Sequence, residues 1–294
     1  MQKPDFFIVG AAKSGTTSMM RYLDQHPDIA IPQKREPLFF ATDFDWPELK
    51  VTDLQHYLSI FADAKQCKYV GEKSVWHLYS ANAAHEINAF NPDAKIIALL
   101  RNPIDMIYSL HGQLLRQLDE DITNFEEALA AVPDRESGSR LPQKTRSPEA
   151  LWYTKVGQYS QQILRYIKIF GKDRVHVVIF DDFKKRPVEC YKATLEFLGA
   201  DPNFQPRLEI HNQATKLRSR SLQRILNEQP FYFRMLPSYI RLGLQWRLEK
   251  FNRQVTPNPP MRPESRAFLQ GLFSQDIDNL SDILERDLST WYQS

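Results

Sequence analysis

The chain has 294 residues, enough for one large domain or two small ones around a buried core. Lys and Arg number 38 against 36 Asp and Glu, a formal charge of +2 that argues against a nucleic-acid coat protein, and 42% hydrophobic with 25% charged residues excludes wholesale disorder. Two cysteines, Cys67 and Cys190, are too few for a disulfide framework or a cysteine-based zinc site.

The first apolar run, 6 to 10 (FFIVG), is too short for a signal h-region, and no apolar run reaches bilayer length, so a cytoplasmic protein is expected. That run reads as a strand, followed by a helical stretch from Thr16 to His26. KYVG at 68 to 71 precedes a helix at about 80 to 90. AKIIALL at 94 to 100 precedes Asn102, a helix N-cap with Pro103 as first helical residue and Asp105 in the first turn. Trp152, Val156, Tyr159, Ile163, Ile167 and Phe170 recur at helical spacing, and VHVVIF at 175 to 180 precedes PVECYKATLEFLG. Continuous apolar strands alternating with helices predict an α/β fold with a mainly parallel central sheet between helical layers. One domain over 1–294 is expected, with acceptor-side insertions near 133–148, a polar loop, and 230–260. The second interleaves aromatics with five basic side chains and one Glu between Phe231 and Arg253. It reads as a substrate lid or as a surface for peripheral membrane contact. The C-terminal stretch is helical again.

The densest chemical signal is Gly10-Ala11-Ala12-Lys13-Ser14-Gly15-Thr16-Thr17 between strand and helix. Small residues let backbone N–H groups turn inward, the helix adds its positive end, and Lys13, Ser14, Thr16, Thr17 and Ser18 supply further donors for a phosphate or sulfate. The spacing of Gly10 and Gly15 matches a Walker A loop. However, Thr16 and Thr17 stand where that motif has Lys and Ser or Thr, and the lysine lies two residues before Gly15.

With FIVGAAKSGTTSMMRYLDQHPDI, then KREPLFF, GEKSVWHLY, AKIIALLRNPIDMIYSL, GQYSQQILRYIKIFG, VHVVIFDDF, HNQATKLRSRSLQRIL and ERDLSTW in order, the chain resembles the sulfotransferase superfamily. The likeness is to its bacterial members and the heparan-sulfate sulfotransferase domains. That resemblance implies a P-loop-like fold, 3′-phosphoadenosine-5′-phosphosulfate (PAPS) as donor, 3′,5′-adenosine bisphosphate as product, and no metal. It implies that Lys13, Ser14, Gly15, Thr16, Thr17 and Ser18 hold the 5′-phosphosulfate, and that Arg101 and Ser109 hold the 3′-phosphate. Arg218 and Ser219 would close on that phosphate, with Lys216 and Arg220 as neighbouring substitutes. Glu36 corresponds to a glutamate acting as general base, and His111 is the rival base. Lys73 corresponds to a lysine near the sulfonate that shares the role of Lys13, with Glu72 orienting it. His77 departs from the aromatic Tyr common in the heparan-sulfate enzymes.

The residues also carry plainer readings. Glu36 can pair at the surface with Lys34 or Arg35, and Trp152 and Tyr159 can be core residues. A P-loop kinase is the strongest rival, supported by the Gly10 to Gly15 spacing and by Asp181 at the end of an apolar run. A non-catalytic nucleotide-binding partner protein is the third reading. The seven scattered histidines contain no His-x-x-x-His pair and give zinc hydrolysis little support. The expected acceptor is a small molecule, carbohydrate or lipid-linked group, without nucleic acid.

Overall fold

In a computed structural model of the chain, residues 3–293 are described except 33–34, 65, 209–214, 229–234, 236–237 and 257–258. They form two compact units. The first takes 1–107, 154–211 and 263–294, and the second 108–153 and 212–262. Both expected insertions fall within the second.

The first unit is built on five parallel strands in the order β2-β3-β1-β4-β5: β1 (Phe6–Gly10), β2 (Ile29–Ala30), β3 (Tyr69–Lys73), β4 (Lys95–Leu100) and β5 (Val175–Ile179). Every residue of β1 is buried, which explains its unbroken apolar run: helices cover both faces of a parallel sheet, so neither face can be polar. On one side Phe6, Ile8, Ile97 and Leu99 pack against Met19 and Leu23 of α1 (Thr16–Leu23), together with Tyr191, Leu195 and Leu198. Elsewhere in this unit Phe7 meets Phe40 edge to face, and Phe40 in turn meets Tyr57 and Phe90. Further helices here include α2 (Leu54–Ser59) and α3 (Ala83–Phe90), with α4 (Pro103–Gln117) beginning in this unit and continuing into the second.

The amphipathic stretch from 152 to 170 is not one helix. It is interrupted at Gly157, where an added Cβ would stand 2.7 Å from the Phe273 ring. The helix restarts after Gln158, with the Asp276 carboxylate accepting from the N–H groups of Tyr159 and Ser160 and from the Ser160 hydroxyl. The strand expected at 175–180 ends at Ile179, and Phe180 opens a helix, Phe180–Lys185. Pro187–Leu198 is helical as expected, as are Pro263–Leu284 and Thr290–Gln293.

In the second unit the polar segment 133–148 is partly helical. Val132–Glu136 forms a short helix because Arg135 is buried there, making a two-pronged bond to Glu120 at 2.7 Å on each arm. The later basic aromatic stretch folds as Ser238–Asn252, a helix, followed by β7 (Arg253–Val255), which pairs antiparallel with β6 (Thr215–Leu217). Its residues 230–234, 236–237 and 257–258 lie outside the described ones. No helix among the described residues is long and apolar enough to cross a membrane.

Candidate functional site

Strand order puts β1 at the centre of the sheet, with β3 on one side and β4 on the other. The chain leaves β1 at the point where successive connections go opposite ways, and ligands of open parallel sheets sit at the carboxyl edge of such a crevice. Three cations follow from that edge. Lys13 lies three residues beyond β1, Lys73 ends β3, and Arg101 comes directly after β4.

Backbone bonds tie these exits together. Ala11 N–H donates to Leu99 O at 2.7 Å, Ser74 N–H to Ile8 O at 3.1 Å, and Leu78 N–H to Val9 O at 2.8 Å. Arg101 Nη1 donates to the Lys13 carbonyl at 3.4 Å, and its guanidinium lies 5.2 Å from the centre of the Phe180 ring. The loop turns through left-handed conformations at Lys13 (φ 58°) and Gly15 (φ 87°). Gly15 also lies so close to Phe180 that an added Cβ would meet the ring at 3.0 Å.

Gly15 is the N-cap of α1 and brings no capping side chain, so the positive end of the helix is left for an anion. Ser14 is buried and donates to Ala12 O at 3.2 Å, which commits its hydroxyl to the shape of the loop. Thr16 is buried as well, whereas Lys13, Gly15, Thr17 and Ser18 remain partly exposed. A shallow recess beside the loop is lined by Ala11, Ala12, Val75, Trp76, Tyr79 and Gln162, among others.

Glu36 and Lys73, 37 residues apart in sequence, meet here. Lys73 Nζ donates to Glu36 Oε1 at 2.6 Å and Val75 N–H to Oε2 at 3.0 Å. Glu36 therefore pairs with neither of its chain neighbours by these bonds; Lys34 lies outside the described residues. The approach is set by Leu38, whose N–H donates to Ser74 Oγ at 3.0 Å, a link without any sequence signature.

Ser74 in turn hydrogen-bonds to Glu72, which is fully buried and also accepts from Tyr57. His77 turns inward, with its Nδ1 3.6 Å from Glu72 Oε1. Burial pushes the Glu72 carboxyl up to about 7, against the bonds from Tyr57 and Ser74, and holds the His77 imidazole down to about 3. His77, read from the sequence as a departure from an expected Tyr, is thus a neutral core imidazole beside a buried acid.

Tyr159, in the first unit, is buried, and Ser14 and Arg101 lie near enough to its phenol to counter part of the rise that burial gives its pKa. His111, in the second unit, is buried against Phe125 and Tyr153, with Nε2 2.9 Å from Ile122 O. Its pKa is lowered chiefly by that burial. Ser109 is a half-buried residue of α4 in the same unit. Ser219 accepts from Leu222 N–H at 3.1 Å and so caps Arg220–Glu228, while Arg218 is exposed, 5.1 Å from the Phe251 ring centre. The Lys216 and Arg220 side chains lie outside the described residues. Asp181 does not end a strand. It sits in the helix after β5 and accepts from Trp291 Nε1 at 3.2 Å, which removes the aspartate that favoured a kinase.

The family profile described as Sulfotransferase domain matches residues 3–229. Among solved structures, a sulfotransferase from Alicyclobacillus acidocaldarius is 29% identical with a TM-score of 0.75, all of each chain being covered. Mouse sulfotransferase SULT7A1 complexed with PAP is 14% identical with a TM-score of 0.50, covering 97% of this chain and 89% of its own, a likeness of fold alone. The bifunctional heparan sulfate N-deacetylase/N-sulfotransferase 1 of Caenorhabditis briggsae is 22% identical over 216 residues, which are 72% of this chain and 24% of that protein. The chain thus spans about a quarter of the length of such curated relatives.

Proposed function

The chain belongs to the sulfotransferase family, and on that premise we propose that it moves a sulfonate group from PAPS to an acceptor hydroxyl, in preference to an amine. The observation that carries this reading is the convergence of Lys13, Lys73 and Arg101 at the carboxyl edge of three adjacent strands, with the Glu36 carboxylate against Lys73. The loop and the start of α1 take the 5′-phosphosulfate, and Arg101 takes the 3′-phosphate as a guanidinium fork. The acceptor oxygen attacks sulfur in line as the bond from sulfur to the 5′-phosphate oxygen breaks. Glu36 receives the hydroxyl proton, and 3′,5′-adenosine bisphosphate leaves with its new negative charge facing Lys13 and Lys73. The work left to the protein is positioning and charge stabilisation, as in phosphoryl transfer.

The acceptor is a small molecule, carbohydrate or lipid-linked alcohol.

Arg101→Ala weakens binding of 3′,5′-adenosine bisphosphate by about 2 kcal/mol, the worth of a charge-assisted hydrogen bond, and leaves adenylate nearly unchanged. Calorimetry with both nucleotides checks this, and equal losses would remove the 3′-phosphate assignment. Preference of the wild-type protein for ATP with magnesium-dependent turnover would instead favour a kinase.

A further inference from the structure

The helix Ser238–Asn252 of the second unit, labelled α5 here, presents an unusual exposed face. With 100° between successive residues, Trp246, Lys250, Gly243, Arg247, Phe251 and Leu244 fall in that order within roughly 160° of arc. All six are exposed, Trp246 and Phe251 by 62% each and Leu244 by 37%. The other side holds Gln245 and Glu249, half-buried and joined at 3.1 Å, and the buried Asn252, which donates to Ser219 O at 3.0 Å and Gln223 Oε1 at 3.3 Å. The helix therefore packs by its polar side and shows solvent its rings. The acid of this stretch is turned away from the exposed face, which carries two cations.

Each large ring also has a cation beside it. Lys250 Nζ lies 5.0 Å from the Trp246 ring centre, and the Arg218 guanidinium 5.1 Å from that of Phe251. A contiguous apolar patch laced with cations marks an interaction site rather than scattered surface exposure. Its chemistry fits an anionic lipid surface: Trp, Phe and Leu enter the headgroup boundary while Arg and Lys remain at phosphate depth. A soluble polyanion would satisfy the cations alone and leave the rings in water.

We propose that this face docks the protein peripherally on a membrane containing anionic lipid. The docking is independent of the sulfonate-transfer reading, since none of Leu244, Trp246, Arg247, Lys250 and Phe251 belongs to the loop, the Glu36–Lys73 pair or Arg101.

The test is co-sedimentation of the full chain with vesicles of phosphatidylcholine alone or mixed with phosphatidylserine. Partition onto the mixed vesicles should exceed that onto phosphatidylcholine by about tenfold or more and fall with added salt. Trp246→Ala with Phe251→Ala should cut it about tenfold, and Arg247→Gln with Lys250→Gln should remove the preference for the anionic lipid. Circular dichroism should stay unchanged in both variants, and binding of 3′,5′-adenosine bisphosphate in the Arg247/Lys250 variant, which separates this outcome from misfolding or a failed nucleotide site. Absence of vesicle binding by the wild-type chain overturns the proposal, as does binding that the aromatic pair does not affect. A dimer broken by Trp246→Ala without vesicle binding would assign the face to a second copy. Retention on heparin lost only in the Arg247/Lys250 variant, again without vesicle binding, would assign it to a polyanion.

Discussion

Two ion pairs invite comparison, one in each unit. Arg135 and Glu120 are both fully buried. The guanidinium bonds both carboxylate oxygens at 2.7 Å, Tyr153 donates at 2.7 Å, and the N–H groups of Asp121 and Ile122 donate at 2.9 and 2.8 Å. Burial alone would raise the Glu120 carboxyl, but the bonds from Arg135, Ile122 and Tyr153 outweigh it and hold the group below its ordinary value. Lys73 and Glu36 instead meet at one point, with side chains 9% and 26% exposed. A planar fork held wholly out of water fixes a fold, whereas an ammonium on a flexible stem beside a partly exposed carboxylate can turn toward an incoming anion while that carboxylate accepts a proton. Neither distance nor having both carboxylate oxygens engaged separates the two, since Val75 N–H also holds Glu36 Oε2; the carboxylate's access to solvent does.

The largest effect should come from breaking the locked pair. Arg135→Met leaves Glu120 buried without its cation and should lower stability by about 3 to 5 kcal/mol in urea unfolding. A loss below about 1 kcal/mol would place this pair with ordinary surface bridges.

Breaking the rim pair should do the reverse, sparing the fold and costing rate. Glu36→Gln is expected to reduce turnover by about 100-fold with nucleotide affinity little changed. In a double-mutant cycle with Lys73→Ala, the two losses should be far from additive, since the side chains touch. Additive losses, or an unchanged rate, would sever Glu36 from the chemistry.

The last effect, read as a slope with pH and not as a loss at one pH, concerns Glu72 and His77. Between about pH 4.5 and 6.5 the folded pair carries one proton, on Glu72, because that pKa is raised to about 7 and His77 is lowered to about 3. The unfolded chain also carries one, on the imidazole, so the pair adds almost no slope to stability there. His77→Leu removes the compensation. Glu72 then binds more protons when folded than unfolded, and stability falls as pH rises from about 5 to about 7, by at most roughly 1.4 kcal/mol per unit. Urea midpoints at both ends of that window measure it, and parallel pH profiles for variant and wild type would refute it.

Much of the first unit could be read from the chain because a strand buried on both faces must be apolar at every position, as Phe6 to Gly10 and Lys95 to Leu100 nearly are. The turn after β1 was legible because its small residues let the chain curl from strand into helix. The meeting of Glu36 with Lys73 rests instead on Leu38 finding Ser74, a tertiary bond that leaves no period in KREPLFF. The same blindness hid the break before Tyr159, which depends on Asp276 more than 100 residues away. It also hid the helix at Val132–Glu136, where a charged residue read as solvated is buried on its partner.

The bonds from Ala11, Ser74 and Leu78 into the middle of the sheet have a consequence for endurance. Amides so placed should exchange with deuterium slowly and in step with those of the sheet if the frame beneath Lys13, Lys73 and Arg101 opens as one cooperative block. Warming should then abolish catalysis in step with melting of that block, without an earlier loss as the surface loosens.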